Sequence, residues 1–149
     1  MINPSSRKAR ALRALRPAMI AALAGAPLLS CSNGVTGPSD LMGGVWKLQS
    51  MELAGSSSRF VPDNPDRFTV EFKADGVIGV RADCNSCGGT YSLSGDALTV
   101  RGMACTLVLC ATPEGGQFAG IIEGRTTVDK DGEDTLEIES SEGRLTLER

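Results

Sequence analysis

The chain of 149 residues contains no histidine. That removes His-based catalytic triads and His-ligated metals from consideration. No serine sits in a GxSxG setting, so the usual nucleophile elbow is missing too. Aromatics are scarce, with one Trp, one Tyr and four Phe. A small core with so few large side chains gains from covalent cross-links. After Leu29 no apolar run approaches the roughly 20 residues that a helix needs to cross a bilayer. Acids are absent from residues 1–30, which carry Arg7, Lys8, Arg10, Arg13 and Arg16. The rest of the chain has the opposite balance. Without those five cations it holds 10 Lys and Arg against 18 Asp and Glu, a net charge of −8. A surface that acidic argues against nucleic acid as a partner, because phosphate binding needs clustered cations.

The basic stretch is followed by Pro17–Leu29, thirteen residues with no charge. Basic and apolar residues stand in separate blocks, the order of a secretory signal rather than of an amphipathic helix. Residues 1–30 therefore read as a signal peptide. Its end, Leu28-Leu29-Ser30-Cys31, resembles the lipobox of bacterial lipoproteins and makes Cys31 the lipidation site. Cleavage near Ala24 or Ala26 would instead leave Cys31 an odd thiol in an oxidising compartment. Residues 31–40 read as the lipidated cysteine and a flexible polar tether. This places the protein in the bacterial cell envelope, held to a membrane by its N-terminal lipid. Ser32 after the cysteine, rather than Asp, points to the outer membrane on its periplasmic side.

From Leu41 onward the pattern has period 2, without an internal repeat. Val45–Leu53 alternates loosely, with Trp46, Leu48, Met51 and Leu53 inward. Gly55–Arg67 is rich in Ser, Pro and Asp and reads as an exposed loop. Phe68, Val70 and Phe72 share a face, and Asp75-Gly76 is a hairpin turn leading back into Val77, Ile78 and Val80. A second hairpin turns at Gly95-Asp96. Phe118, Ile121 and Ile122 fall at helical spacing, with Thr112 as cap, Pro113 as first helical residue and an end near Gly124. Three more strands follow, turning at Asp131-Gly132 and Glu142-Gly143. The fold class is mainly β (α+β). Seven or eight strands form a curved antiparallel sheet or half-open barrel with one short helix packed across it. Asp129, Asp131 and Glu133 superficially suggest a calcium loop, but Gly132 is in the wrong place for one, and a solvated hairpin is the plainer reading.

Four cysteines remain: Cys84, Cys87, Cys105 and Cys110. Their spacing is close to that of a four-thiolate zinc site. Cys84-Asn-Ser-Cys87 also has the CxxC form of a redox motif. Export favours a third reading, two disulfides, since four cysteines pair evenly once Cys31 carries lipid. A redox CxxC belongs at a helix N-terminus, whereas this one leads into a strand.

The order of these pieces carries a resemblance. A Trp-containing first strand is followed by "FTVEFKADGVIGVRADCN", "GGTYSLSGDALTV", "MACTLVLC" and "PEGGQF". Residues 41–149 resemble the META domain family, that of a heat-shock-inducible bacterial lipoprotein. The motif positions are Cys84-Asn85, Gly89, Tyr91, Thr106 with Cys110, Glu114 and Phe118. Relatives usually have Gly where this chain has Asp83. Many keep only the cysteines matching Cys84 and Cys110, so the resemblance implies that these two bond each other, leaving Cys87 with Cys105. The outer bond should then matter more, at about 2–5 kcal/mol.

The resemblance assigns no catalytic residue, metal or cofactor. It implies a non-enzymatic envelope lipoprotein that supports envelope integrity or stress tolerance through an unknown envelope protein. The alternative is a carrier of a small hydrophobic ligand on the concave face of the half barrel. An apolar cavity large enough for an acyl chain, about 300 Å3 or more, would favour the carrier, and a packed interior the first reading.

Overall fold

The computed structural model describes Gly34, Val35 and residues 37–149. The stretch 1–30 expected as a signal peptide, and Cys31, lie outside the described residues. Nine strands and one α-helix follow in the order β1 (Val45–Leu53), β2 (Arg59–Phe60), β3 (Phe68–Phe72), β4 (Val77–Ala82), β5 (Asn85–Ser94), β6 (Ala97–Cys105), α1 (Glu114–Ile122), β7 (Gly124–Asp131), β8 (Thr135–Glu139) and β9 (Gly143–Glu148). All pairings are antiparallel, each strand from β3 to β9 lying beside the next. β1 pairs with β3 on one edge and with β9 on the other. The eight strands β1 and β3–β9 therefore form a closed barrel, where the sequence left the choice between an open sheet and a half-open barrel. β2 is an addition inside the expected loop, sharing the β3 edge of β1 at Met51 and Glu52.

Alternation fills the barrel. Trp46, Leu48 and Met51 of β1, Val70 of β3, Ile78 of β4, Leu98 and Val100 of β6, Leu136 and Ile138 of β8, and Leu145 and Leu147 of β9 are all buried. The loose rhythm of β1 has a physical cause. Its pairing with β9 shifts between Leu48 and Ser50, a bulge at Gln49 that moves the inward phase from even to odd positions. Ser50 is consequently buried on the other side, where its Oγ accepts from Arg59 Nη2 at 2.6 Å.

α1 packs against β4, β7, β8 and β9 and so crosses the rim formed by the end of β4 and the start of β7. Phe118, Ile121 and Ile122 are its fully buried residues. Gly115 allows this approach, since a Cβ there would stand 2.6 Å from the carbonyl oxygen of Ala82. Two expectations about the helix change. Thr112 does not cap it. Pro113, expected as the first helical residue, occupies the cap position without a side-chain hydrogen bond, and the helix ends at Ile122 just before the positive-φ Gly124, as expected.

Part of the segment expected as a tether lies on the domain. Val35 is buried, and Pro38–Asp40 forms a 3-10 turn in which Gly37 N donates to Asp40 Oδ2 at 3.1 Å. The next residue, Leu41, is fully buried. Its carbonyl accepts from Trp46 Nε1 at 2.7 Å, and the Arg149 guanidinium covers the Trp46 ring at 4.5 Å. Burying this leucine and satisfying the indole N–H fold the polar segment onto the domain.

Candidate functional site

The cysteines gather on the rim crossed by α1. Cys84 is bonded to Cys110, with Cα atoms 5.7 Å apart. Cys87 is bonded to Cys105, with Cα atoms 4.0 Å apart. The second distance is short because the two residues face each other directly across β5 and β6. The CxxC redox reading needs Cys84 joined to Cys87, and the structure gives each a different partner. In the zinc reading the sulfurs are thiolates. Here both pairs are spent in S–S bonds. Asp83 does bring a carboxylate within 4.8 Å of the Cys84 and Cys110 sulfurs, but a disulfide offers no thiolate ligand.

Between Cys105 and Cys110 runs Thr106-Leu107-Val108-Leu109. Asn85 holds this loop from inside. Its Oδ1 accepts from Val108 N at 2.8 Å, and its Nδ2 donates to the Val108 carbonyl at 3.0 Å. Thr106 Oγ1 donates to the same Oδ1 at 3.0 Å and accepts from Ser86 N at 3.1 Å. The loop is thus fixed by a disulfide at each end and by an amide at its middle. What it presents is apolar: Leu107 is 99% exposed and Leu109 98%. Among the described residues, no other leucine is so placed. The sequence missed both. Leu107-Val108-Leu109 is a short continuous apolar run, which by itself reads as buried; the bridges of both flanking cysteines to the β5 side and the Asn85 hydrogen bonds hold it outside.

The remaining motif positions lie along the barrel, some at this rim and Tyr91 at the opposite end. A Cβ on Gly89 would stand 2.9 Å from the Arg101 carbonyl, so only glycine admits the close pass of β5 and β6. Tyr91 packs edge-on against Phe72 and donates its hydroxyl to the Lys73 carbonyl at 3.0 Å. Burial, with a contribution from Asp75, pushes the Tyr91 phenol above its usual range. Phe118 packs edge-on against Phe68 inside the rim. Glu114 opens α1 with a buried Oε2 that has no hydrogen-bond partner in the protein. Asp83, the departure from the family glycine, has φ 61°, the left-handed conformation in which glycine is the easy residue. Its carboxylate is buried and paired with Arg67, a partner the sequence gave no reason to choose.

Outside the barrel wall, surface cavities of 220 Å3 to 540 Å3 open to solvent. One of 420 Å3 lies between the Leu109 loop and the start of α1. The barrel interior itself is packed with side chains. The Asp129–Glu133 acids occupy the β7–β8 hairpin, as a solvated turn would.

The META domain family model matches residues 39–149. The chain belongs to the META domain family. Among solved structures, this META domain is similar to a protein determined by NMR, with TM-score 0.60 and 22% identity over 76% of this chain and 95% of that one. A second NMR structure, of a protein from Burkholderia xenovorans, has TM-score 0.58 and 20% identity, covering 75% of this chain and 85% of that one. A lipocalin-like protein from Bacteroides uniformis gives TM-score 0.49 and 17% identity over 74% and 98%. At these identities the likeness describes the fold. A comparison with curated proteins finds no significant match. The motif residues read as scaffold: Asn85, Thr106 and Phe118 shape the rim, Gly89 admits the close pass of β5 and β6, and Tyr91 braces the β3–β4 turn at the other end of the barrel.

Proposed function

We propose that this META domain is a non-enzymatic binding module of the bacterial cell envelope, which presents the Leu107–Leu109 loop to a partner. One observation carries the reading. Two leucines stand almost fully in water on a loop that two disulfides and Asn85 prevent from folding inward. Burying a leucine stabilises by about 1.5–3 kcal/mol, so the pair forgoes about 3–6 kcal/mol in the isolated domain. A partner that covers them recovers it.

The surroundings support a binder over an enzyme. The chain lacks histidine, and among the described residues the rim brings together no nucleophile with a base. They also weigh against the carrier, because the barrel interior is filled by the side chains that alternation points inward. The envelope setting rests on the signal peptide and Cys31, and two disulfides suit that oxidising compartment. Anchored there by lipid, the domain would support envelope integrity or stress tolerance by holding its partner in place.

The test is capture from cross-linked envelopes, comparing wild type with Leu107→Asp/Leu109→Asp at equal abundance. The double variant alters only exposed side chains, so folding and anchoring should persist. Partners recovered with wild type should be lost from the variant. An unchanged set of partners would show that binding, if any, uses another surface. Acyl-group mass on the peptide beginning at Cys31, and its loss in Cys31→Ala, tests the anchor separately.

A further inference from the structure

Beside the leucine loop lies a second cavity of different chemistry. It measures 220 Å3 and opens between the β2–β3 connection, the Asp83 turn and the start of α1. Asp63, Asp83 and Glu114 bring three carboxylates to its lining, and Arg67 brings one guanidinium. Arg67 pairs with Asp83, whose side chain is 4% exposed. Glu114 has no such partner. Its Oε2 is buried and meets no hydrogen-bond donor of the protein. A buried acceptor left without a donor is destabilising, and a donor supplied from the cavity would relieve it.

The charge balance decides what kind of donor fits. Three carboxylates against one guanidinium leave the cavity lining at −2, and the guanidinium is already engaged by Asp83. An anion therefore gains little here, and a cation gains much. A metal ion suits the geometry poorly. Among the described residues, the only three possible ligands within 4.8 Å of one another are Asp83 and the Cys84 and Cys110 sulfurs, which are joined in a disulfide. Asp63, Asp83 and Glu114 thus do not close on a single point. The remaining wall is apolar. Phe60 and Phe68 stand edge to face with ring centroids 5.5 Å apart, and Pro62 lines the cavity with them. Such a wall packs against carbon, and an aromatic face attracts a cation within about 6 Å.

We propose that this cavity binds a primary alkylammonium group, its N–H donors on Glu114 and its carbon chain against Phe60 and Phe68. An ammonium has three donors and no acceptor, which matches a carboxylate that lacks a donor. The volume is smaller than the roughly 300–1,000 Å3 of sites for drug-sized ligands. The ligand is accordingly a short free amine or the end of a lysine side chain from another protein. The site does not rest on the role proposed for the leucines, although its cavity shares Ala111 and Thr112 with the groove beside Leu109.

The experiment is an NMR titration of the full purified protein with n-butylammonium chloride, with n-butanol as its uncharged match. The backbone amides of Ala111, Thr112 and Glu114 should shift saturably with the amine and stay in place with the alcohol. Glu114→Gln keeps the size of the side chain and removes its charge, so it should weaken the amine about tenfold or more. Asp129→Asn removes an exposed carboxylate of β7 and should leave binding unchanged. Nα-acetyl-lysine methylamide, titrated in parallel, separates the two sources. Shifts with this probe alone assign the group to a lysine of another protein, and shifts with butylammonium alone to a free amine. The absence of a saturable shift with either amine overturns the proposal, as do equal shifts with butanol or equal weakening by the two variants. The same shifts produced by calcium ions would make this a metal site and overturn it too.

Discussion

Serine replacement of each disulfide in turn separates what the two bonds do. On the chain-entropy model a bond closing 26 residues, as Cys84–Cys110 does, stabilises by about 3.5 kcal/mol when alone. One closing 18 residues, as Cys87–Cys105 does, gives about 3.2 kcal/mol. With one bond present, the other closes only a short ring, through three steps from Cys84 to Cys87 and five from Cys105 to Cys110. On the same model that ring is worth about 2–2.5 kcal/mol. A thermodynamic cycle is independent of path, so the two single-bond proteins should differ in stability by only about 0.3 kcal/mol. Nesting alone therefore does not make the outer bond dominant, contrary to the expectation from the sequence. The native state separates them instead. Cys87 and Cys105 are already opposed in the β5–β6 ladder, whereas Cys84–Cys110 ties down the leucine loop. Urea unfolding of Cys84→Ser/Cys110→Ser and of Cys87→Ser/Cys105→Ser should show losses of about 2–2.5 kcal/mol in each. Hydrogen exchange at residues 106–110 should rise sharply only in the first. Removing all four cysteines should cost about 5–6 kcal/mol, most of a small domain's stability. If the Cys87/Cys105 protein is less stable than the Cys84/Cys110 protein by 1 kcal/mol or more, the loop-entropy reasoning is refuted.

Three further outcomes follow from single side chains. Thr126 buries a hydroxyl that has no hydrogen-bond partner in the protein, so Thr126→Val should raise stability by about 1 kcal/mol, read from the urea midpoint. A loss would mean that the hydroxyl is satisfied. Asp83 occupies a left-handed backbone position, so Asp83→Gly should be more stable than Asp83→Ala by about 1–2 kcal/mol. Equal stabilities would remove the backbone explanation of this departure from the family. Tyr91 has a folded-state pKa raised above its ordinary 10.0, first by burial. Its protonated form therefore favours folding, with the full contribution below pH 10 and a progressive loss as the pH rises through the folded value. Thermal melts between pH 9 and pH 11 should show an alkaline decline that Tyr91→Phe reduces. An identical decline in both proteins would contradict it.

Local chemistry made much of the barrel legible. Asp75-Gly76 and Gly95-Asp96 turn where hairpin preferences put them, and β1 begins and ends at Val45 and Leu53 as its pattern indicates. Barrel closure was not legible, since it joins residues as far apart as Lys47 and Glu148 by backbone bonds that no side-chain period records. The helix start was misplaced by one residue, because its position is set by the close packing of Gly115 on β4, a tertiary contact that no local signal records. At the candidate site, the motif residues were visible through family resemblance, but their role was not. Asn85 works by reaching residues 106 and 108, more than twenty positions away. Leu107 and Leu109 belong to a short apolar run whose composition suggests burial, and their exposure depends on the Asn85 hydrogen bonds to this loop, which no sequence pattern records.

Whether those leucines are covered where the protein works is the most direct test of the binding role. Hydroxyl-radical footprinting reads side-chain exposure residue by residue. In the purified protein, held dilute as a monomer, Leu107 and Leu109 should oxidise readily, as their 99% and 98% exposure requires. In intact envelopes both should be protected at least severalfold, while Val61 oxidises equally in the two settings. Equal oxidation of Leu107 and Leu109 in both would contradict the account, leaving the clamped loop with nothing bound to it.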